Sequence, residues 1–483
     1  MRFKRFLLVI SPFYSQNVAY WTVFPAGAGY ISEYLEKNGI ENDIIDMRLE
    51  QSKERLFKRI EEFKPDLIGF QILTYRYDVA FDLVKDVMKK TGIKTIIGGP
   101  HVSSERLVAM RESGADFGVK GEGEITLLEL MQGKNSAHIN GLMHKHDKGI
   151  KENADRPPKH DLDNVPFPRY LKFSLEKYDK LIPIVTSRGC PYNCTFCTVK
   201  LTMGKAFRYR SPENVLKELE YWYKKGYRKF HVLDDNFTLF PDRVSKICDM
   251  IIKNKYIGID LGLPNGVRAD KLNETVLKKM KKAGFTLFGI GVESGNEQIL
   301  KNVNKGESLD SIEKAIDMSA RLGFDVELFF TVGNQGETKE TVRESFALAL
   351  KYPVADVKFY NVVPFPNTEL NAWIKKHGKF RKDFRKALIF QEAYKGEPFF
   401  STKELSFNDR IYLLDDARKL REFVLKKNME RKLGGFGYFG KILSHIFYIG
   451  FLNKLIKDAY TKPFARRIMQ FFMNVFGFNV RHF

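Results

Sequence analysis

Short apolar runs alternate with stretches of helical periodicity over the first three-quarters of the chain. Phe6–Ile10, Asp43–Asp46, Pro65–Leu73, Lys94–Ile97 and Asp116–Val119 predict strands, while Ala28–Lys37, Val79–Lys90 and Ile125–Met131 predict helices. Asn38-Gly39 closes the first helix as a C-cap signal. Strands rich in Ile, Leu and Val that alternate with helices predict a parallel sheet covered on both faces, a doubly wound, Rossmann-like domain over residues 1–145. Ligands of such sheets sit beyond the carboxyl ends of the strands. Residues 146–180 are polar and proline-bearing and read as a linker. The alternation then resumes. Ile182–Thr186, Lys229–Leu233, Ile259–Leu263, Thr286–Val292, Asp325–Thr331 and Asp356–Val363 predict strands, with helices between them. Six such steps over residues 181–370 predict a partial, TIM-like (β/α)6 barrel with its chemistry at the carboxyl ends of the strands. Residues 371–483 lose this alternation and read as a mainly helical C-terminal domain.

The chain has 483 residues, of which 43% are hydrophobic and 29% charged, which describes a globular protein of two to four domains. Four cysteines exclude a disulfide scaffold. The N-terminal run FLLVI is short and lacks a following cleavage site, so it reads as a buried strand, not a signal peptide. No apolar run is long enough to span a bilayer. These features predict a cytoplasmic protein with reduced thiols. The formal charge is +21, and residues 371–483 carry +14 of it, with 24 Lys and Arg against 10 Asp and Glu. Ten Phe follow Arg431, and Leu443–Leu452 is a compact apolar run. Amphipathic helices at a membrane interface and a helical cap packed on the barrel both satisfy that pattern. The first predicts a peripheral protein at the inner face of the membrane.

The sharpest chemical signal is SRGCPYNCTFC, in which Cys190, Cys194 and Cys197 fall within eight residues. Three thiolates on one short loop can hold three irons of a 4Fe-4S cluster and leave the fourth open. A structural zinc site wants four protein ligands, and His231 and Cys248 are the nearby candidates. Cys248 lies in an apolar helical pattern and reads as core.

This loop resembles the signature of radical S-adenosylmethionine (SAM) enzymes. The resemblance implies that the open iron chelates the amino and carboxylate groups of SAM, and that an electron then cleaves the sulfonium to give a 5′-deoxyadenosyl radical. It implies that Phe196 lies near the adenine. Further segments match in order. Asp234-Asp235-Asn236 follows the second barrel strand, where the family presents a polar turn to the methionine ammonium, although its usual motif there is Gly-Gly-Glu-like. Arg268 ends the third strand region and is placed to pair with an anionic group. Glu293, with Ser294 beside it, ends the fourth and is implied to lie near the SAM ribose or carboxylate. Thr331–Glu337, with Gly333, is similar to the family's glycine-rich stretch after strand five, with Asn334-Gln335 in place of Leu-Pro. Pro364 opens a PxPGT-like turn after strand six, with Asn367 in place of Gly.

The N-terminal domain resembles the cobalamin-binding domain fused to many radical SAM enzymes, a large share of them methyltransferases. The resemblance rests on three segments that each follow a predicted strand. They are Phe70–Tyr75, with Thr74 and Tyr75; Gly98, Gly99, Pro100 and His101; and Gly121, Glu122 and Gly123. A DxHxxG motif is missing, so the resemblance implies no axial histidine, and His101 reads as a loop residue near the corrin. No GxGxxG follows the first strand, which disfavours a nicotinamide site.

The layout implies a radical SAM enzyme with a 4Fe-4S cluster, SAM and cobalamin, functionalising an unactivated carbon by C-methylation or a related rearrangement. The expected partners are an apolar or anionic small-molecule substrate, lipid or isoprenoid-like, and an external electron donor such as flavodoxin or ferredoxin. A cobalamin-independent enzyme whose first domain is a docking module is a second reading. RNA modification is a third, disfavoured because no second cysteine trio lies in the N-terminal domain. A purely structural iron–sulfur protein leaves the three-coordinate cluster without a reason.

Overall fold

The computed structural model describes residues 2–12, 23–50, 52–147, 149–381 and 398–434. The apolar run Leu443–Leu452 and most of the Phe-rich segment lie outside the described residues. No helix of the described residues is long and apolar enough to cross a membrane.

The first sheet has seven strands in the order β2-β1-β3-β4-β5-β6-β7. These are β1 (Arg5–Ile10), β2 (Glu41–Asp46), β3 (Leu67–Gln71), β4 (Lys94–Gly98), β5 (Phe117–Val119), β6 (Leu142–His146) and β7 (Gly149–Glu152). β1 to β5 run parallel, with helices Ala26–Lys37, Lys53–Phe63 and Tyr77–Thr91 in the crossovers. The sheet is not wholly parallel: β6 and β7 add an antiparallel hairpin that carries it past residue 145. The central strands are apolar on both faces, as a covered parallel sheet requires. Gly69 in β3 is needed because the Phe6 ring of β1 lies across it, with Phe6 Cε2 2.7 Å from where a Cβ would stand.

The second sheet has six parallel strands in chain order: β8 (Leu181–Ile184), β11 (Lys229–Val232), β12 (Asp260–Val267), β13 (Phe285–Glu293), β14 (Asp325–Val332) and β15 (Asp356–Asn361). It curls into an open barrel. Helices Pro212–Lys224, Pro241–Lys253, Glu274–Lys282, Leu309–Arg321 and Lys339–Lys351 connect the strands. Ser211, Asn273, Ser308 and Thr338 cap four of these helices through their side-chain oxygens. Two short strands, β9 (Ser187–Arg188) and β10 (Arg208–Tyr209), pair antiparallel on either side of the cysteine loop. Beyond the barrel, β16 (Lys379–Phe380) pairs with β17 (Phe400–Ser401). A helix at Phe407–Leu433 then runs along β15, with Asn428 Nδ2 donating to the Ala355 carbonyl at 3.1 Å.

The polar stretch 146–180 does not hang free. Tyr170 and Tyr178 are buried and sandwich Phe24, with centroids at 4.5 and 4.3 Å, and Tyr170 reaches Trp222 of the barrel at 5.8 Å. Tyr178 Oη donates to Asp46 Oδ2 at 2.7 Å. Aromatic rings of this size dominate the energetics of a junction, so the stretch fastens the two sheets together.

Candidate functional site

The cysteine loop leaves the carboxyl end of β8 and is anchored from four sides. Gly189, in a left-handed conformation (φ +85°), donates its N–H to Asp235 Oδ2 at 3.2 Å. The Cys190 N–H donates to the Gly204 carbonyl at 3.3 Å and the Thr195 N–H to the Val303 carbonyl at 3.0 Å. The Thr195 carbonyl in turn accepts from Leu370 N–H at 3.0 Å. Tyr192 stacks under Arg268, whose guanidinium carbon lies 3.5 Å from the ring centre.

All three thiols are partly buried and free of disulfides. Burial pushes each thiol up, Cys197 to about 11, against nearby backbone and cationic groups. They therefore give up their protons to a metal, not to water at neutral pH. Among the described residues no three His, Cys, Asp or Glu side chains converge on a single ion. A 4Fe-4S cluster takes one thiolate on each iron, and the loop carries three cysteines for it. Cys248 is fully buried in the helix Pro241–Lys253 and belongs to the core.

The residues expected around this loop divide into those that face it and those that hold it. Asp234 was expected to meet an ammonium. It is buried and spends its carboxylate on the Thr186 N–H (2.6 Å) and the hydroxyls of Thr186 and Ser187 (both 2.5 Å), tying the end of β8 in place. Asp235 keeps one backbone partner, and burial beside Asp234 raises it to about 6. Asn236 is 1% exposed; its amide interacts with the Cys190 thiol and has no other hydrogen-bond partner for its oxygen or nitrogen. A buried amide so sparsely paired is costly unless a ligand completes it, so Asn236 fits an incoming methionine group.

Arg268 likewise holds rather than binds. It donates to Asp270 Oδ1 (3.0 Å) and to the Lys305 and Gly306 carbonyls (2.7 and 2.9 Å). Its charge is shared between Asp270 and the 305–307 turn, where Glu307 Oε2 lies 3.7 Å away. That turn carries the residue that sequence reasoning missed. Lys305 is buried, with its ammonium between Glu293 Oε1 (3.3 Å) and Glu307 Oε2 (3.4 Å) and near Cys194. Burial opposes its charge, but the two carboxylates outweigh burial and raise its pKa. Glu293 itself is left-handed (φ +65°), at a break in the β13–β14 register. Such a backbone costs about 1–3 kcal/mol in a non-glycine residue and clusters at functional sites. Ser294 is wholly buried and accepts from the Asn296 N–H at 3.2 Å, as a turn residue.

Two turns complete the rim. Glu337 is buried and folds back to accept from the N–H groups of Gly333 and Asn334, so Thr331–Glu337 is closed on itself. Gly333 (φ +108°) lacks a side chain because the Arg410 guanidinium occupies that side. The Pro364 carbonyl accepts from Asn371 Nδ2 at 2.6 Å. Asn367 takes the left-handed position (φ +62°), and its amide donates to the Ser104 carbonyl of the first domain at 2.6 Å. Phe196 is half-buried against the apolar cluster under the first sheet.

The first sheet turns its carboxyl edge toward this rim. A cavity of about 160 Å3 opens there, lined in part by Ser11, Gln71, Leu73, Tyr75 and Arg76. Gln71 Oε1 is buried in it without a partner, so the edge fits a group that supplies a donor. Thr74 lies half-exposed in the same loop. Gly98 ends β4 and its carbonyl accepts from the Ile72 N–H at 2.8 Å. Gly99 (φ +109°) passes so close to the β3 loop that a Cβ would stand 2.7 Å from the Ile72 carbonyl oxygen. Pro100 starts the helix Pro100–Glu105. His101 departs from the expectation of a loop residue near a corrin. It is 2% exposed and stacks on Tyr77 at 4.2 Å, inside the domain.

The third loop also differs. Gly121 donates to Ser103 Oγ at 2.9 Å, and a Cβ on Gly123 would stand 3.0 Å from Ile31 Cδ1. Glu122 is spent on Arg188 (3.2 Å) and Arg208, and Glu124 pairs with Arg188 at 2.8 Å. This loop docks the first domain onto β9, immediately before the cysteine loop, and its carboxylate is not open to a cofactor.

With this geometry in view, the chain was compared with known proteins. Residues 184–349 match the radical SAM superfamily, and residues 17–131 match the B12 binding domain. A protein of Pyrococcus horikoshii described as an uncharacterized methyltransferase is 30% identical over 383 residues, 77% of this chain and 83% of that protein. The cytidylyl-2-hydroxyethylphosphonate methyltransferase of Streptomyces wedmorensis is 26% identical, over 72% of this chain and 77% of that one. Among solved structures, the radical SAM methyltransferase TsrM of Kitasatospora setae superposes with a TM-score of 0.69 at 18% identity, covering 79% of each chain. That likeness is one of fold.

Proposed function

Because the chain belongs to the radical SAM enzymes that carry a B12-binding domain, we propose that it is a C-methyltransferase acting on an apolar or anionic small molecule. When bound, the cluster and SAM supply a 5′-deoxyadenosyl radical, and cobalamin supplies a methyl group. The observation that carries the reading is the meeting of the two ligand-bearing edges. Asn367 reaches Ser104, and Arg188 reaches Glu122 and Glu124, so the carboxyl ends of both sheets face one space.

The chain's own residues have distinct parts in this reading. Cys190, Cys194 and Cys197 hold the cluster. Asn236 offers its buried amide beside it, and Lys305 holds the Glu293 carboxylate in place. Asp234 and Arg268 keep the loop in register. The aromatic junction around Phe24 and the docked loop at Gly121–Glu124 keep water from the space between the sheets. An external one-electron donor of the flavodoxin or ferredoxin class reduces the cluster.

For the substrate, the basic, Phe-rich composition of residues 371–483 supports an apolar or anionic compound, including a lipid or isoprenoid presented at a membrane surface. The Streptomyces relative, named for a phosphonate substrate, supports the anionic half of this reading.

The test begins with anaerobic purification from cobalamin-replete cells and measurement of iron, sulfide and corrin per chain. The enzyme is then given SAM with a labelled methyl group and candidate lipids and phosphonates. Labelled product together with 5′-deoxyadenosine supports the reading. 5′-Deoxyadenosine without methyl transfer to any candidate overturns it in favour of a rearrangement. Sedimentation of the full chain with anionic vesicles, compared with zwitterionic ones, tests the surface contact.

A further inference from the structure

The helix Phe407–Leu433 is remote in sequence from every motif, yet one of its side chains ends at the rim of the barrel. Arg410 is 1% exposed. Its guanidinium donates to the Phe400 carbonyl of β17 at 2.6 Å, to the Val332 carbonyl at the end of β14 at 3.0 Å, and to Asn361 Oδ1 at the end of β15. It lies 4.3 Å from the centre of the Phe400 ring. Among the described residues no carboxylate lies within salt-bridge distance of it, although it is fully buried, and the carboxylate that offsets its charge is the more distant Glu337 of the Gly333 turn. Burying a guanidinium without an ion pair is unfavourable for stability alone. What the arrangement gains is geometry, since a planar fork fixes three oxygens from three segments at once.

Those oxygens border the Gly333 turn. Gly333 packs directly against the guanidinium, and an added Cβ would come within 2.9 Å of Nη1. The turn leads back to the site through a chain of polar contacts. Glu337 accepts from Gly333 and Asn334. Asn334 Nδ2 donates to the Thr331 carbonyl and hydroxyl, both at 3.0 Å. Thr331 Oγ1 makes a long 3.5 Å contact to Glu293 Oε2, and Glu293 Oε1 meets Lys305. The path runs through backbone and side-chain groups alike and joins the turn to the carboxylate of Glu293.

We propose that Arg410 is a positioning residue of the SAM site: it fixes the Gly333–Glu337 turn and, through Thr331, the carboxylate of Glu293. The C-terminal helix is then part of the active site by construction, without touching the reacting atoms. The inference rests on SAM binding at the carboxyl ends of the barrel strands. It does not depend on which group is transferred or on the substrate.

The test compares Arg410→Met with Arg421→Ala. Arg421 lies one helical stretch further on and pairs with Asp356 at 2.8 and 2.9 Å, so it anchors the same helix without touching Gly333. Hydrogen exchange is followed over residues 331–337 in the cluster-free full chain. The SAM dissociation constant and the KM and kcat for SAM cleavage are then measured in the reconstituted enzyme. Arg410→Met is expected to speed exchange at 331–337 and to raise the SAM dissociation constant and KM on the order of tenfold to a hundredfold, with iron content kept. Arg421→Ala is expected to lower the melting temperature and leave SAM affinity as it was. Should Arg410→Met not fold, Arg410→Lys, which keeps the charge and loses the fork, carries the same comparison. Unchanged SAM affinity in the folded Arg410 variant overturns the proposal. So do parallel losses in both variants that track stability alone. Because SAM affinity is read apart from methyl transfer, failure of the methyltransferase reading leaves this outcome separate.

Discussion

At the rim of the barrel, ionic groups are dense and locked in networks: Lys305 between Glu293 and Glu307, Arg268 against Asp270, and Asp234 under Thr186 and Ser187. At the carboxyl edge of the first sheet the building materials are glycines and stacked rings: Gly98 and Gly99 against Ile72, and His101 on Tyr77. The charged groups of that domain's third loop, Glu122 and Glu124, turn away to Arg188 and Arg208. One edge suits a small, highly charged reactant, the other a broad group laid against backbone. The contrast also separates position from role. A motif residue on the charged rim is as often a brace for its neighbour as a contact for the ligand, because each buried charge requires a counter-charge.

The largest effect is expected where the rim loses its cation. Lys305→Met leaves Glu293 without its cation and Glu307 with Arg268 alone, at 3.7 Å, in a buried site, which costs about 3–5 kcal/mol. Chemical denaturation should show this loss, and SAM affinity should fall while the corrin content of folded protein holds. A loss of corrin as great as that of SAM would mean the two edges are not independent. The mirror experiment is Gly99→Ala. A Cβ there stands 2.7 Å from the Ile72 carbonyl oxygen on a left-handed backbone, for about 1–3 kcal/mol. Corrin per chain should drop with iron per chain unchanged. Corrin binding at the wild-type level would show that this turn does not shape the cofactor edge.

The smallest effect concerns the seam between the edges. Burial tends to raise Glu124, but Arg188 outweighs it and holds the carboxyl below its ordinary value of 4.5. A depressed carboxyl contributes stability that is present above pH 4.5 and is lost as pH falls through the lower, folded value. Glu124→Gln should therefore flatten the stability curve in the acid limb below pH 4.5. At neutral pH it should cost roughly 1–2 kcal/mol, since Gln keeps an acceptor and Glu122 remains. An acid limb identical to the wild type would place the sensitivity in another group.

Much of this site was readable from spacing. CxxxCxxC located the cysteine loop, and the strand-end positions of Asn236 and Glu293 put them near Cys190 and Cys194. What spacing does not carry is the partner of each charge. Lys305 sits in Asn-Lys-Gly, which reads as a solvated turn, and left-handed Asn304 and Gly306 are what turn its side chain inward. Arg410 lies in a helix crowded with Lys and Arg, where one buried guanidinium looks like its exposed neighbours. Asp234 reads as a ligand because the family it resembles presents a polar turn there, yet its three donors come from Thr186 and Ser187, 48 and 47 positions away. The stretch 146–180 reads as a linker from its prolines and charges, although Tyr170, Phe173 and Tyr178 make it part of the core. The predicted strand stops at Leu263, whereas β12 continues to Val267 across register shifts in its pairing with β13.

The pairing of Arg421 with Asp356 has a consequence in time. Asp356 is fully buried at the start of β15, and its partner is 65 residues later in the chain. During synthesis the sixth strand emerges with Lys358 beside that carboxylate at 3.7 Å, long before the guanidinium that grips it twice. Until then the carboxylate has only the more distant of these two cations, and burial of that side of the barrel is less favourable. A chain cut short before Arg421 leaves that carboxylate with Lys358 at 3.7 Å in place of a two-pronged guanidinium, so the last strand of a truncated product is held less firmly.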